Sequence, residues 1–274
     1  MLHLMQKSIF VEISTKILTI SFFGYILLLR IYDISGINMI KVILFDLDGT
    51  LLPMDQDVFV KEYFGRLAKK LISHGYEPEA LVNNIWAGTK AMIKNTGEKL
   101  NEQAFWDTFA SMYEKDVLSD INLFDEFYHN DFDAVKNVCG YTPRANEAVK
   151  AIKEMGFRIA LATNPIFPAI ATEARMRWAG LDRGDFELYT TYENSRFSKP
   201  YPNYYTEICR TLDVSPQECL MVGNDVRDDM IAATLGMKVF LLTDCLINKA
   251  DADISVYPQG SFDELIKFVK AINE

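Results

Sequence analysis

From Pro143 to the C-terminus the sequence alternates between helical and strand patterning, and that alternation limits the possible folds more than any other feature. Helices are expected at 144–155, closed by Gly156, and at 166–179, 201–212, 226–235 and 262–272. Between them lie the short apolar runs FRIALAT, FELYTT, CLMVG and KVFLL. An earlier run, residues 40–45, is apolar except for Lys41, as a strand buried on both faces should be. Repeated β-α units of this kind imply an α/β fold with a doubly wound parallel sheet and right-handed crossovers. In such sheets ligands bind at the carboxyl ends of the strands, near the switch in strand order.

Between that first strand and the alternating region, from about Gln56 to Phe132, the periodicity is helical. Leu81, Ile85, Gly88 and Met92 fall on one helical face, and Pro78 suits the first turn of that helix. Further helices are expected at 56–73, 101–114 and 121–130. The chain therefore divides into an α/β core, residues 39–54 and 140–274, and an inserted all-α segment, 55–139. The aromatics of the insertion, Tyr63, Phe64, Trp86, Phe105, Trp106, Phe109 and Tyr113, are expected to fill its interior.

Residues 1–38 do not fit this pattern. Their apolar run ILTISFFGYILLL has 13 residues, against the roughly 20 that span a bilayer. No good cleavage site follows it. Met39 then opens MIKVILFDLDGT, so residues 1–38 are read as an extension outside the fold, with a mis-assigned start as one origin. A membrane anchor is the alternative; the reading adopted is a cytoplasmic protein without membrane association.

The 274 residues are 49% hydrophobic and 24% charged, with a formal net charge of −10, which argues against a nucleic-acid surface. The four cysteines form no CxxC pair, and none of the three histidines lies beside a Ser or Cys in a nucleophile setting. Acid–base chemistry is left to carboxylates.

Four polar clusters stand where the expected strands end: Asp46-Leu47-Asp48-Gly49-Thr50, Thr163-Asn164, Ser198-Lys199-Pro200, and Gly223-Asn224-Asp225 with Asp228 and Asp229. Singly, each is more often a turn or a helix N-cap than a site. Two carboxylates as close as Asp46 and Asp48 repel each other, so a cation is expected between them.

In order and position these clusters resemble the motifs of the haloacid dehalogenase superfamily, most of whose members are magnesium-dependent phosphohydrolases. The resemblance covers residues 39–274 and places the inserted helices as that family's cap. It implies Asp46 as the nucleophile that attacks phosphorus and Asp48 as the acid and base. Thr163, Asn164 and Lys199 would hold the phosphoryl oxygens. Mg²⁺ would be held by Asp46, the Asp48 backbone, and Asn224 or Asp225, with Thr50 and Asp229 in support. The fourth cluster departs from the commonest pattern by placing Asn224 directly after the glycine. A preference of Mg²⁺ for charged oxygens favours Asp225 modestly; if Asn224 ligates instead, Asp225 becomes an N-cap. Asp229, one turn on, would orient Lys199, and Asp228 is expected to face solvent.

The resemblance implies hydrolysis of a small phosphorylated metabolite through an aspartyl-phosphate. A phosphomutase of the β-phosphoglucomutase type and a non-catalytic phospholigand-binding protein are the alternatives, the latter disfavoured by the complete set of charged residues. Substrate and oligomeric state are not encoded in any motif.

Overall fold

The computed structural model describes residues 39–274; the expectation for residues 1–38 lies outside the described residues. Six strands form one parallel sheet: β1 (Val42–Phe45), β2 (Arg158–Leu161), β3 (Leu188–Tyr189), β4 (Cys219–Gly223), β5 (Lys238–Leu242) and β6 (Gln259–Gly260). Their spatial order is β3-β2-β1-β4-β5-β6. The chain winds outward from β1 in one direction through β2 and β3, then in the other through β4, β5 and β6. The switch in order therefore lies between β1 and β4.

The central strands β1 and β4 are apolar on both faces because each face is covered. Ile43 and Phe45 of β1, with Leu220 and Val222 of β4, pack into one core; Val42 and Leu44, with Cys219 and Met221, pack into the other. Helices α5 (Pro143–Glu154) and α8 (Phe262–Ala271) supply the first core with Ala148, Ile152, Leu265 and Val269. Helix α7 (Pro202–Leu212) covers the second with Tyr204, Tyr205 and Ile208. At about 25 cal/mol per Å² of apolar surface removed from water, such two-sided burial is the main stabilising term.

Four helices follow β1: α1 (Gln56–Leu71), α2 (Pro78–Ile93), α3 (Asn101–Ala110) and α4 (Ile121–Asn130). Helix α1 starts where the Asp55 carboxylate accepts the amides of Asp57 and Val58 at 2.9 and 3.1 Å. In α2, Leu81, Ile85, Gly88 and Met92 are all buried, as their spacing demands. Tyr63, Trp106 and Phe109 fill the interior of these helices, whereas Trp86 is 47% exposed. Helix α6 (Ala169–Trp178) follows β2.

Two expectations are corrected. Residues 226–235 do not form an α-helix: a turn runs to Asp229 and a 3-10 segment covers Met230–Leu235. The turn is fixed by the Asp225 carboxylate, which accepts the Arg227 and Asp228 amides, and by Asp229 Oδ2, which accepts the Asp225 amide. The third strand keeps only two of its expected six residues, because β3 is an edge that pairs with β2 alone.

Candidate active site

Asp46 follows the last residue of β1, and its amide donates to Val222 O of β4 at 2.9 Å, so the adjacent strand holds its backbone. Its side chain thereby projects at the switch point. Lys199, on the loop before α7, is 2% exposed and donates from Nζ to Asp46 Oδ1 at 2.8 Å and to Asp229 Oδ1 at 2.6 Å. Residues 153 and 30 positions from Lys199 in sequence thus share one ammonium.

The other oxygen of Asp46 is engaged by Thr50. The Thr50 hydroxyl lies 3.0 Å from Asp46 Oδ2 and 2.9 Å from Asn224 Oδ1, and donates its single proton to one of them at a time. Asn224 is buried, with its Nδ2 on Cys245 O at 2.6 Å. Gly49 has φ +84°, and a Cβ there would run into the Asn224 amide, so this turn admits glycine alone without displacement.

Asp225 is arranged differently from its neighbour. Its Oδ1 accepts the amides of Arg227 and Asp228 at 2.8 and 2.9 Å, and its own amide donates to Asp229 Oδ2 at 2.9 Å. It therefore caps the turn after β4. Asp228, expected to face solvent, is half-buried and lines the site cavity; burial, with Asp225 beside it, pushes its carboxyl up.

Thr163 and Asn164 sit just past β2, on the near wall of the same cavity. The Thr163 carbonyl is fixed by the hydroxyls of Thr190 and Tyr204, both at 2.7 Å. Asn164 Oδ1 is buried without a hydrogen-bond partner. Asp46, Asp48, Thr163, Asn164, Lys199, Asn224, Asp225, Asp228 and Asp229 all line one cavity of about 200 Å³ at the carboxyl ends of the strands.

Sequence reasoning missed Arg175. It is fully buried on α6, where its Nη1 pairs with Asp48 Oδ2, and its Nε donates to Ala171 O at 3.2 Å. Its guanidinium lies 4.4 Å from the Phe167 ring centroid. The available signal was an arginine on the core-facing side of a short, mostly apolar helix, four residues after Ala171. Asn101 was also missed. It is completely buried at the start of α3, with Nδ2 on Pro165 O at 3.1 Å and on Ser198 Oγ at 3.2 Å.

The electrostatics follow from burial. Desolvation raises the Asp48 carboxyl, as does neighbouring Asp46, while Arg175 pulls it down; the net direction is up. Burial likewise pushes Asp229 up to about 7, against the pull of Lys199. The Lys199 ammonium is held well above its ordinary value by Asp229 and Asp46, which outweigh its desolvation.

The cavity has five carboxylates and only Lys199 as a cation in its lining. Among the described residues no three His, Cys, Asp or Glu side chains form a ready metal cage. A divalent ion that keeps several waters needs only one or two carboxylates, and the cavity offers the Asp46 carboxylate close to the Asn224 amide oxygen, both within 3.0 Å of one Thr50 hydroxyl, with Asp225 next to them. The donor set therefore fits Mg²⁺.

A parallel sheet with carboxylates and a buried lysine at its switch point defines an α/β protein whose ligand site lies at the ends of β1 and β4. Residues 40–236 match the model of the haloacid dehalogenase-like hydrolases, and the chain belongs to that family. It is 25% identical over 199 residues to pyrophosphatase PpaX of Bacillus cereus, covering 73% of this chain and 81% of the relative. It is 26% identical over 204 residues to phosphoglycolate phosphatase of Colwellia psychrerythraea, covering 70% and 79%. Among solved structures, 2-haloacid dehalogenase from Pseudomonas syringae pv. tomato shares the fold with a TM-score of 0.56 at 18% identity, over 85% of this chain and 99% of that one. The HAD phosphatase from Thermococcus onnurineus has a TM-score of 0.53 at 16% identity, over 86% and 100%.

Proposed function

We propose that this protein is a Mg²⁺-dependent phosphohydrolase that cleaves a small phosphate monoester through an aspartyl-phosphate on Asp46. The observation that carries the reading is the Lys199 ammonium between Asp46 and Asp229, in a cavity that also holds Asp48, Thr163 and Asn164. The phosphatase and pyrophosphatase names of the relatives agree with it.

Asp46 is the nucleophile. Lys199 on Oδ1 fixes one carboxylate oxygen, and Thr50 beside Oδ2 limits its rotation. As an Asp46 oxygen bonds to phosphorus, the bond to the leaving oxygen breaks and Asp48 gives that oxygen a proton. Asp48 then takes a proton from water, which attacks the phosphoenzyme and releases phosphate. A raised carboxyl suits the first of these roles, and the Arg175 ion pair suits the second. Thr163 and the loop at Asn164 donate to phosphoryl oxygens. Mg²⁺ would be held by Asp46, the Asp48 backbone and the fourth cluster, where it neutralises the approaching phosphate. In that cluster the capping bonds of Asp225 favour Asn224 as the ligand, with Asp225 in support.

Phosphate release from p-nitrophenyl phosphate, with and without Mg²⁺, tests this. Asp46→Asn is expected to abolish release and phosphoenzyme formation. Asp48→Asn should slow turnover by roughly 10² to 10⁴-fold, the range of general acid–base catalysis. Undiminished turnover in Asp46→Asn would overturn the assignment. Conversion of sugar phosphates to isomers faster than phosphate release would identify a mutase.

A further inference from the structure

The catalytic cavity continues beyond its carboxylates. Val60, Trp86, Ile166 and Phe167 line it and also line a second cavity of about 80 Å³ among helices α1 to α4. The same four side chains border both spaces, so the second lies directly against the first.

The second cavity is aromatic. Phe64, Phe105, Trp106 and Phe124 contribute rings, and Tyr63 and Tyr128, which also line it, pair through their hydroxyls at 2.8 Å. Its one charged lining residue is Asp125. Among the described residues lining either cavity, Lys199 is the only Lys, Arg or His, and its ammonium is already held between two carboxylates. Arg175 is likewise committed to Asp48.

We infer that the substrate is a phosphate monoester of an alcohol with a neutral, apolar body, which occupies the aromatic cavity while its phosphoryl group faces Asp46. The inference rests on the phosphohydrolase reading and deepens it. A leaving group bearing a carboxylate or a second phosphate would meet Asp125 and Asp228 with no free cation, and an unpaired charge is costly to bury. An apolar body gains from leaving water and from contact with the rings. The cavity is smaller than the roughly 150 Å³ that accommodates benzene. It therefore takes a short branched chain, or part of one ring whose remainder lies in the larger cavity of about 200 Å³.

The test compares kcat/KM, with Mg²⁺, for benzyl phosphate and glycerol 3-phosphate, both esters of primary alcohols, and for phosphoglycolate and pyrophosphate. Benzyl phosphate should exceed each of the others at least about tenfold, the least that apolar pocket contacts confer. Thr89→Phe, which fills the aromatic cavity from α2, should bring the benzyl-to-glycerol ratio to about one, chiefly by raising KM for benzyl phosphate. Trp86→Ala, which removes one of the four side chains common to both cavities, should lower the same ratio. Equal or better turnover of glycerol 3-phosphate, phosphoglycolate or pyrophosphate would overturn the inference and leave the phosphohydrolase standing. A benzyl preference that survives in both folded variants would overturn the aromatic cavity as its seat. No phosphate from any of these compounds or from p-nitrophenyl phosphate would overturn the phosphohydrolase reading, and the substrate class with it.

Discussion

Arg175 shows how one side chain shapes the site without lining it. Its guanidinium is 1% exposed and has its partner in Asp48, whose side chain is 20% exposed. Removing one member of a buried ion pair leaves the other uncompensated, at a cost near 3 kcal/mol for a pair that keeps some solvent on one side. Arg175→Met is therefore expected to lower stability by about 3 kcal/mol in urea denaturation. Arg175→Lys should recover only part of the loss, since a point charge does not replace the planar fork. Glu218 gives a residue-scale test far from the site. Its carboxylate is hydrogen-bonded by Lys41 and then by the Ser215 amide, which together hold it down at about 2 against an ordinary 4.5. A depressed carboxyl contributes stability that is complete above the unfolded value and is lost as pH falls through the folded one. The stability difference between wild type and Glu218→Gln should thus be full above 4.5 and vanish as pH approaches 2. A difference that does not change over that window would show that the pair contributes nothing.

At the scale of elements, the inserted helices are tied to the core by a few polar anchors as well as by packing. Asn101 at the start of α3 binds both the loop after β2, through Pro165 O, and the loop that carries Lys199, through Ser198 Oγ. Its own amide donates to Ser195 O at 2.9 Å. Asn101→Ala should cost about 1–3 kcal/mol in stability, because the buried acceptors lose their donor. It should also lower kcat for p-nitrophenyl phosphate, as the loops bearing Asn164 and Lys199 lose a common support. Unchanged kcat at reduced stability would confine Asn101 to a structural role. The turn after β4 makes a related point. The pattern at 226–235 predicts an α-helix, whereas the chain turns as far as Asp229 and then forms a 3-10 segment from Met230 to Leu235. Periodicity reports which side faces the core; it does not distinguish one tight turn geometry from another.

At the scale of the molecule, residues 39–274 contain both cores and every site residue named above, and no helix among them is long and apolar enough to cross a membrane. A chain begun at Met39 is expected to fold with an unchanged melting temperature and to keep the phosphatase activity of the full chain; loss of either would assign a role to residues 1–38. The alternation of apolar runs and helices was enough to determine a doubly wound parallel α/β fold, because burial on both faces imposes continuous apolar strands and amphipathic helices locally. The strand-end clusters were legible for a similar reason: Asp46, Asp48 and Asn224 stand where an apolar run stops, whereas Lys199, expected at a strand end, lies on a loop ten residues past β3. Tertiary structure alone decided the strand order, which places β1 beside β4 and so Asp46 beside Asn224. It alone brought Arg175 to Asp48 and opened an aromatic cavity beside the carboxylates. Each of these depends on contacts between residues up to 180 positions apart, and sequence periodicity measures only what lies within a few turns of one element.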